Sequence, residues 1–543
     1  MKNSAASRRS KPRGAGKSGA GFRLAWLDPL AIALLLAVLG GSALWWHNAH
    51  GYTLYYGDAQ AHLVNARRMV DSRTPGWDQL GTVWLPLPHW LMLPFVSNEH
   101  WWRTGLAGAY PASGSFVVAG TFFYLSIRRL FHSRTAGVVG VLLFALNPNV
   151  LYLQSVPMTE AVYLAGFTML LYAVVWHGQG GGMGAAALAA LASNIASLTR
   201  YEGWFLIPFV ALYLAFGGKK VSLGKGLVFG VLALAGPLWW LAHNYWYYGD
   251  ALEFYRGQWS AKMIYQRALD AGMDRYPGDH DFGKAWQQFR AAAQLCAGAS
   301  LAILGLAGIC TTLFRRSFAA LLFVLLPVVF YVWSIYSSGT PIFVPHLWPN
   351  SYYNTRYGLA ALPAMALCAA SLATIARGRW QVILAALLVV TAAVPWVVYP
   401  RPEAWITWKE SQVNSEARRA WTAEAAAYLK EHRRPHEGIY SALGDLAGIY
   451  REAGIPLRDV LQEGNNPHWM AAQKRPDLFL WEEWAVAMSG DEVATAILKS
   501  NRNGPRYGCV KMIAVKGGPV IEIYRRQSET NEDTLYQGTR RLE

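Results

Sequence analysis

Charged residues are scarce in this chain. Only 15% of its 543 residues are Asp, Glu, Lys or Arg, against 53% hydrophobic. An ordinary soluble domain carries about a quarter charged residues, so a wholly soluble protein is excluded. Cysteine is scarcer still, with four in all. Cys296, Cys310 and Cys368 lie within apolar runs and Cys509 stands alone, which leaves neither a disulfide framework nor a zinc cluster. There is no internal repeat, no glycine-rich phosphate loop in a strand–helix setting, and almost no ionisable residue inside the apolar runs. The N-terminus has the basic-then-apolar order of a signal peptide. The apolar stretch Trp26–Trp46 is too long for one, however, and no small-residue cleavage site precedes Trp45, so it reads as a retained first helix.

What the chain has in quantity is apolar runs, aromatic residues and positive charge. Tryptophan (25) and tyrosine (28) are abundant, as expected where helices meet the membrane–water boundary. Eleven runs approach bilayer-spanning length: 26–46, 105–127, 136–153, 158–176, 184–200, 203–216, 226–246, 293–313, 318–337, 357–376 and 380–399. The net charge of +16 sits largely in the tail before residue 24 and in short clusters between runs. That placement is an orientation signal rather than a nucleic-acid surface. With residue 1 cytoplasmic, the cytoplasmic loops hold Arg128, Arg129 and Arg134, then the glycine-rich 178–184 stretch. They continue with Lys219, Lys220 and Lys225, then Arg315 and Arg316, then Arg377 and Arg379. Four of the five are basic, which fixes the phase, and an odd number of crossings places everything after 400 on the far side. Val83–Val96 is apolar but holds Pro86, Pro88 and Pro94. Counting it as a crossing would invert every later basic loop, so it is expected to lie at the surface.

The expected architecture is an α-helical polytopic membrane protein of about eleven crossings with a small C-terminal α/β domain. Residues 1–24 form a basic cytoplasmic tail and 25–400 the membrane domain, with a first outer loop at 47–104. Residues 401–543 form an extracytoplasmic domain, in which 415–432 and 490–500 read as helices. Cys509–Val515 and Val520–Tyr524 read as strands joined by a turn at Gly517–Gly518–Pro519.

Polar residues concentrate in the outer turns. In the Gly57–His62 stretch, Asp58, His62 and Asn65 share one helical face, and Ala59, Leu63, Ala66 and Val70 another. This reads as an amphipathic surface helix whose polar face lines an aqueous cavity, with Gln60 and His62 as substrate contacts. Glu160, in Pro157–Met158–Thr159–Glu160, opens the fourth run. Arg200 and Glu202 flank the next outer turn, and Tyr353, Arg356 and Tyr357 lead into the tenth run. Arg256 and Lys262 supply basic charge in the 247–292 loop. Each has a plainer explanation. Asp58 after glycine makes a helix N-cap, Glu160 answers a helix dipole, Arg200 and Glu202 neutralise each other, and Arg356 snorkels to the interface. Four such turns converging on one face of the membrane point to a site.

The order of first helix, Asp-centred outer loop, second acid at the third–fourth turn and soluble C-terminal domain resembles the GT-C superfamily. The branch in question is that of protein O-mannosyltransferases and the aminoarabinose transferase of lipid A. The similarity spans most of 26–399, although Ala59 stands where relatives carry a second acid after Asp58. The resemblance implies an inverting glycosyltransferase that moves a sugar from a polyprenyl-phosphate donor to a hydroxyl of a protein, lipid or glycan. Asp58 would be the general base, Glu160 would orient the acceptor or assist Asp58, and Arg356 with Arg256 or Lys262 would hold the lipid phosphate. Some members use a divalent ion, for which His62, His89 and Asp58 are the candidate ligands, though no spacing compels it. The compartment implied is a bacterial inner membrane with a periplasmic active face. The competing class is a transporter or flippase of a lipid-linked or small polar substrate, which needs ionisable groups at mid-membrane depth that these runs lack. A non-catalytic membrane scaffold is a further alternative, and it leaves the polar first loop unexplained.

Overall fold

The computed structural model describes residues 18–218, 220–398 and 402–527. The first 17 residues of the basic tail and Lys219 lie outside the described residues. Each of the eleven apolar runs is helical, and among the described residues five helices are long and apolar enough to cross a membrane alone. These are Asp28–Ala49, Glu160–Gly178, Leu223–Tyr248, Phe318–Tyr336 and Arg379–Val398. Among the described residues one bent pair also passes together as a broken span, Phe282–Ala297 with Ala299–Phe314, whose axes meet at 106°. Arg134–Ala145, Gly182–Ser197 and Glu202–Phe216 are shorter than the roughly 20 residues a bilayer needs, so length alone supports fewer crossings than the eleven runs suggest.

The bend explains where the 293–313 run departs from a single span. Gly298 adopts a φ of +84°, which glycine takes without steric cost. The turn frees the carbonyl of Cys296, and Asn147 and Asn149 donate to it at 2.8 and 3.0 Å. Those two asparagines mark a second break, between Arg134–Ala145 and Pro148–Leu153. Two interrupted helices thus satisfy one another's backbone where no water would. The proline-rich segment forms only Leu87–Val96, a helix about 15 Å long. Leu87 N–H donates to Leu198 O at 3.0 Å and Tyr201 to Val83 O at 2.8 Å, which pins the segment across the outer ends of neighbouring helices.

The basic loops gather at one end of the bundle. Asp28 pairs with Arg134 at 2.9 Å and Arg128 at 3.5 Å, Gln179 donates to Arg129 O, and Arg315 donates to Thr374 O. The Glu160–Gly178 helix, mostly buried, runs from this end to the other, where its first residue meets the outer polar turns. At that opposite end sits the C-terminal domain. Its sheet has the order β2-β1-β3-β5-β4, with β1 Ile439–Tyr440, β2 Val460–Leu461, β3 Trp484–Met488, β4 Tyr507–Ala514 and β5 Val520–Arg526. β1 runs parallel to β2 and β3, and β4–β5 is the expected hairpin.

A 27-residue helix, Ile406–His432, joins the two parts. Its first turn is held by the membrane domain: Thr407 donates to Asn149 at 3.1 Å, Tyr56 donates to Thr407 O at 2.7 Å, and Tyr152 bonds Ser411 at 2.7 Å. Its later turns place Trp421, Ala425 and Leu429 in the core of the C-terminal domain. The Gly57–Arg68 helix is packed between the two parts, with Leu63, Val64 and Ala66 sharing that core with Ile449, Tyr450 and Trp484. The expected polar face is therefore closed for most of its length. His62 and Asn65 are buried, and only the first turn opens outward.

A carboxylate–guanidinium cluster as candidate active site

Asp58 stands in the first turn of Gly57–Arg68, where the helix dipole favours an acid. It is not the N-cap. Tyr56 holds that position, in extended conformation and without a side-chain capping bond. A Cβ at Gly57 would lie 2.9 Å from Arg418 Nη1, so a side chain there would displace the tip of that arginine. The Asp58 carboxylate instead receives Arg356 Nη2, across almost 300 residues of sequence.

Arg356 is the hub of the site. Asn354 turns the chain with a φ of +54°, starting the Thr355–Ala361 3-10 helix that carries the arginine inward. Its Nε donates to Glu160 Oε1 at 3.1 Å, Nη1 to Glu410 Oε1 at 3.2 Å, and Nη2 to Asp58. The rings of Tyr56 and Tyr357 lie 5.1 and 5.0 Å from its guanidinium carbon, within cation–π range. A second arginine extends the network. Arg200 donates to Glu160 at 3.0 Å, Glu202 at 2.8 Å, Thr159 at 2.7 Å and Tyr331 at 2.8 Å, with the Tyr357 ring 4.8 Å away. Tyr331 in turn donates to Glu202. Four carboxylates thus surround two guanidinium groups. The side chains of Arg356, Glu160 and Glu410 are 6%, 8% and 2% exposed, whereas that of Asp58 is 43% exposed. Asp58 is the one acid on Arg356 that a molecule from outside can touch. Glu160 Oε2 is buried without a hydrogen-bond partner, an acceptor left over inside the site.

The structure thus brings Asp58, Glu160, Arg200, Glu202, Arg356 and Tyr357 together. Arg200 and Glu202 do neutralise each other, but as buried support for Glu160. Arg356, expected at a lipid phosphate, is enclosed by three carboxylates. Tyr353 lies beside this group, its backbone paired with Phe343 and its ring half exposed. Gln60 donates to Leu54 O at 2.9 Å and so braces the loop ahead of Asp58. His62 pairs with His89 at 3.0 Å and lies against Trp84, and burial lowers its pKa to about 3, helped by the charges of Arg356 and Arg200. The imidazoles bond each other rather than joining Asp58. Among the described residues no three His, Cys, Asp or Glu side chains gather as a metal site, so this donor set does not fit the divalent ion expected for it. Arg256 and Lys262 remain at the surface of the outer loop. Arg256 pairs with Asp250 at 3.6 Å, and Lys262 donates to Tyr255 at 3.2 Å.

Glu410 escaped the sequence reading. It lies in the expected soluble domain, in a stretch with ordinary helical charge, and the only local signal is its place on a stripe of Ile406, Thr407, Ser411 and Ser415, all buried. Burial pushes its pKa up, against the opposing pull of Arg356 and the bonds from Thr355.

No family model and no curated protein matches the chain. In three dimensions it is similar to ArnT from Cupriavidus metallidurans bound to undecaprenyl phosphate, with a TM-score of 0.54 at 14% identity, covering 93% of this chain and 98% of that one. The apo state of the same protein gives 0.51 at 15% identity, with the same coverage. The apo oligosaccharyltransferase of Archaeoglobus fulgidus gives 0.46 at 13% identity, over 85% of this chain and 69% of that one. The likeness over nearly the whole of both chains shows that this protein shares the fold of ArnT.

Proposed function

We propose that the protein is an inverting glycosyltransferase that moves a sugar from a polyprenyl-phosphate donor to an acceptor hydroxyl on the outer face of the membrane. The observation that carries this reading is the Asp58 carboxylate, fixed by a buried arginine yet 43% exposed. A general base needs that combination of orientation and access. The undecaprenyl phosphate bound to ArnT supports the donor class. In the reaction, Asp58 takes the proton of the acceptor hydroxyl as its oxygen attacks the anomeric carbon. The bond from that carbon to the phosphate oxygen breaks, and the polyprenyl phosphate leaves with the electron pair. One displacement inverts the anomeric centre. Arg356 holds the base in line, while Glu160, buried on the same guanidinium, assists Asp58 by fixing Arg356. Arg256 and Lys262, tied only to surface neighbours, offer cations to the departing phosphate. The acceptor is a protein, lipid or glycan. The natural setting we propose is a bacterial inner membrane, with the basic end cytoplasmic and the C-terminal domain periplasmic. Mass analysis of glycans and lipids from cells with and without the protein tests this. A sugar modification lost on deletion, with the lipid-linked donor accumulating, supports it. Unchanged profiles in both pools contradict it.

A further inference from the structure

We infer that Glu410, on the helix that begins the C-terminal domain, is a positioning residue that makes that domain a working part of the site. Glu410 Oε1 accepts the Asn354 N–H at 3.1 Å and Oε2 accepts the Thr355 N–H at 2.7 Å, with the Thr355 hydroxyl donating to the same oxygen. One carboxylate therefore satisfies the N–H groups of the N-cap Asn354 and of Thr355, the first residue of the Thr355–Ala361 helix, whose own N-cap side chain makes no capping bond. The same carboxylate accepts Arg356 Nη1. Backbone and guanidinium of one residue pair are thereby locked by a single group, which decides where Nη2 and Nε present themselves to Asp58 and Glu160.

Glu410 is itself immobilised. Its helix is held one turn earlier by Asn149 on Thr407 and in the following turn by Tyr152 on Ser411, and its side chain is 2% exposed. It cannot meet substrate, so it acts through Arg356. The C-terminal domain packs on this helix through Trp421 and Leu429. Anything that displaces the domain moves the grip on Arg356.

This inference rests on the proposed transfer reaction for its consequence, but not for its geometry, and the test separates the two. Glu410→Gln and Glu410→Asp are compared with the unaltered full-length protein in detergent micelles. Hydrogen exchange of the peptide around 350–360 reads the turn. The separate effects on kcat and donor KM, with recovery in Glu410→Asp, read whether the residue acts through Arg356.

In Glu410→Gln we expect faster exchange at Thr355. For sugar transfer, kcat falls at least about tenfold with donor KM within about twofold. Glu410→Asp loses part of the protection and recovers part of the rate. If exchange stays at the wild-type value, or if Glu410→Gln transfers sugar at the wild-type rate, the inference is overturned. If exchange rises while the unaltered protein transfers no sugar, the positioning role stands and the transferase reading falls.

Discussion

At the scale of residues, the site is an exchange of buried charges with one acid left open. Arg356 carries the arrangement, so its removal is the most damaging single change. Arg356→Ala leaves Glu410 buried without its cation and Glu160 with Arg200 alone. It should cost about 3–5 kcal/mol of stability along with all transfer activity, seen as a large drop in detergent melting temperature. Arg356→Lys keeps the charge but offers one compact donor group in place of three directed nitrogens, so it should recover much of the stability and little of the rate. The His62–His89 pair gives a pH prediction. The pKa of His62 is lowered in the fold from 6.5 to about 3 by burial, so the unfolded chain binds the extra proton first. The stability that His62 brings is complete above pH 6.5 and declines as pH falls towards 3. Melting temperature should fall between pH 7 and 4 in the native protein and fall less steeply in His62→Phe. Several of these residues were legible beforehand, because Asp58, Glu160, Arg200 and Arg356 are polar groups at the mouths of apolar runs, where charge needs a reason. Their partnerships were not legible. Arg356 as hub depends on Glu410, and nothing local distinguishes that glutamate from a solvated one.

At the scale of elements, apolar length told where helices lie and less about how they break. The 293–313 run looked continuous because Gly298 is a common helix residue in membranes. Its left-handed φ and the two asparagines that cap the freed carbonyl come from distant sequence. The first loop was legible as a helix from its periodicity, and its exposure was misjudged because the domain that covers it lies some 380 residues away. Helix contact in the bundle depends on small residues. A Cβ at Gly308 would sit 1.9 Å from Cys368 O, so Ala299–Phe314 and Leu362–Leu372 touch backbone to backbone there. Gly308→Val should push these helices apart and lower the melting temperature by several degrees (roughly 2–4 °C per kcal/mol at moderate domain size). Gly230→Ala, with nothing within 4 Å of its Cβ, should leave it unchanged or slightly raised.

At the scale of the whole molecule, the fold sets the basic loops at one end and the acid cluster with the C-terminal domain at the other. A small sheet after residue 400 was legible from the change in composition there. That Ile406–His432 reaches into the helical bundle was not, because its first turns are held by Asn149 and Tyr152, far away in sequence. The interface is also tied by Arg73, which grips Glu482 with both nitrogens at 2.6 and 2.7 Å, and by Arg103, which donates to Glu452 O at 2.9 Å. The account as a whole turns on whether Asp58 takes a proton from an acceptor while a lipid phosphate leaves. The direct measurement is release of polyprenyl phosphate from synthetic polyprenyl-phosphate sugars by the purified protein in liposomes, with native acceptor extract and with Asp58→Asn alongside. The account predicts release coupled to acceptor glycosylation in the native protein, and a fall of at least about a hundredfold in Asp58→Asn with insertion and melting unchanged. Equal release by the two proteins would contradict it.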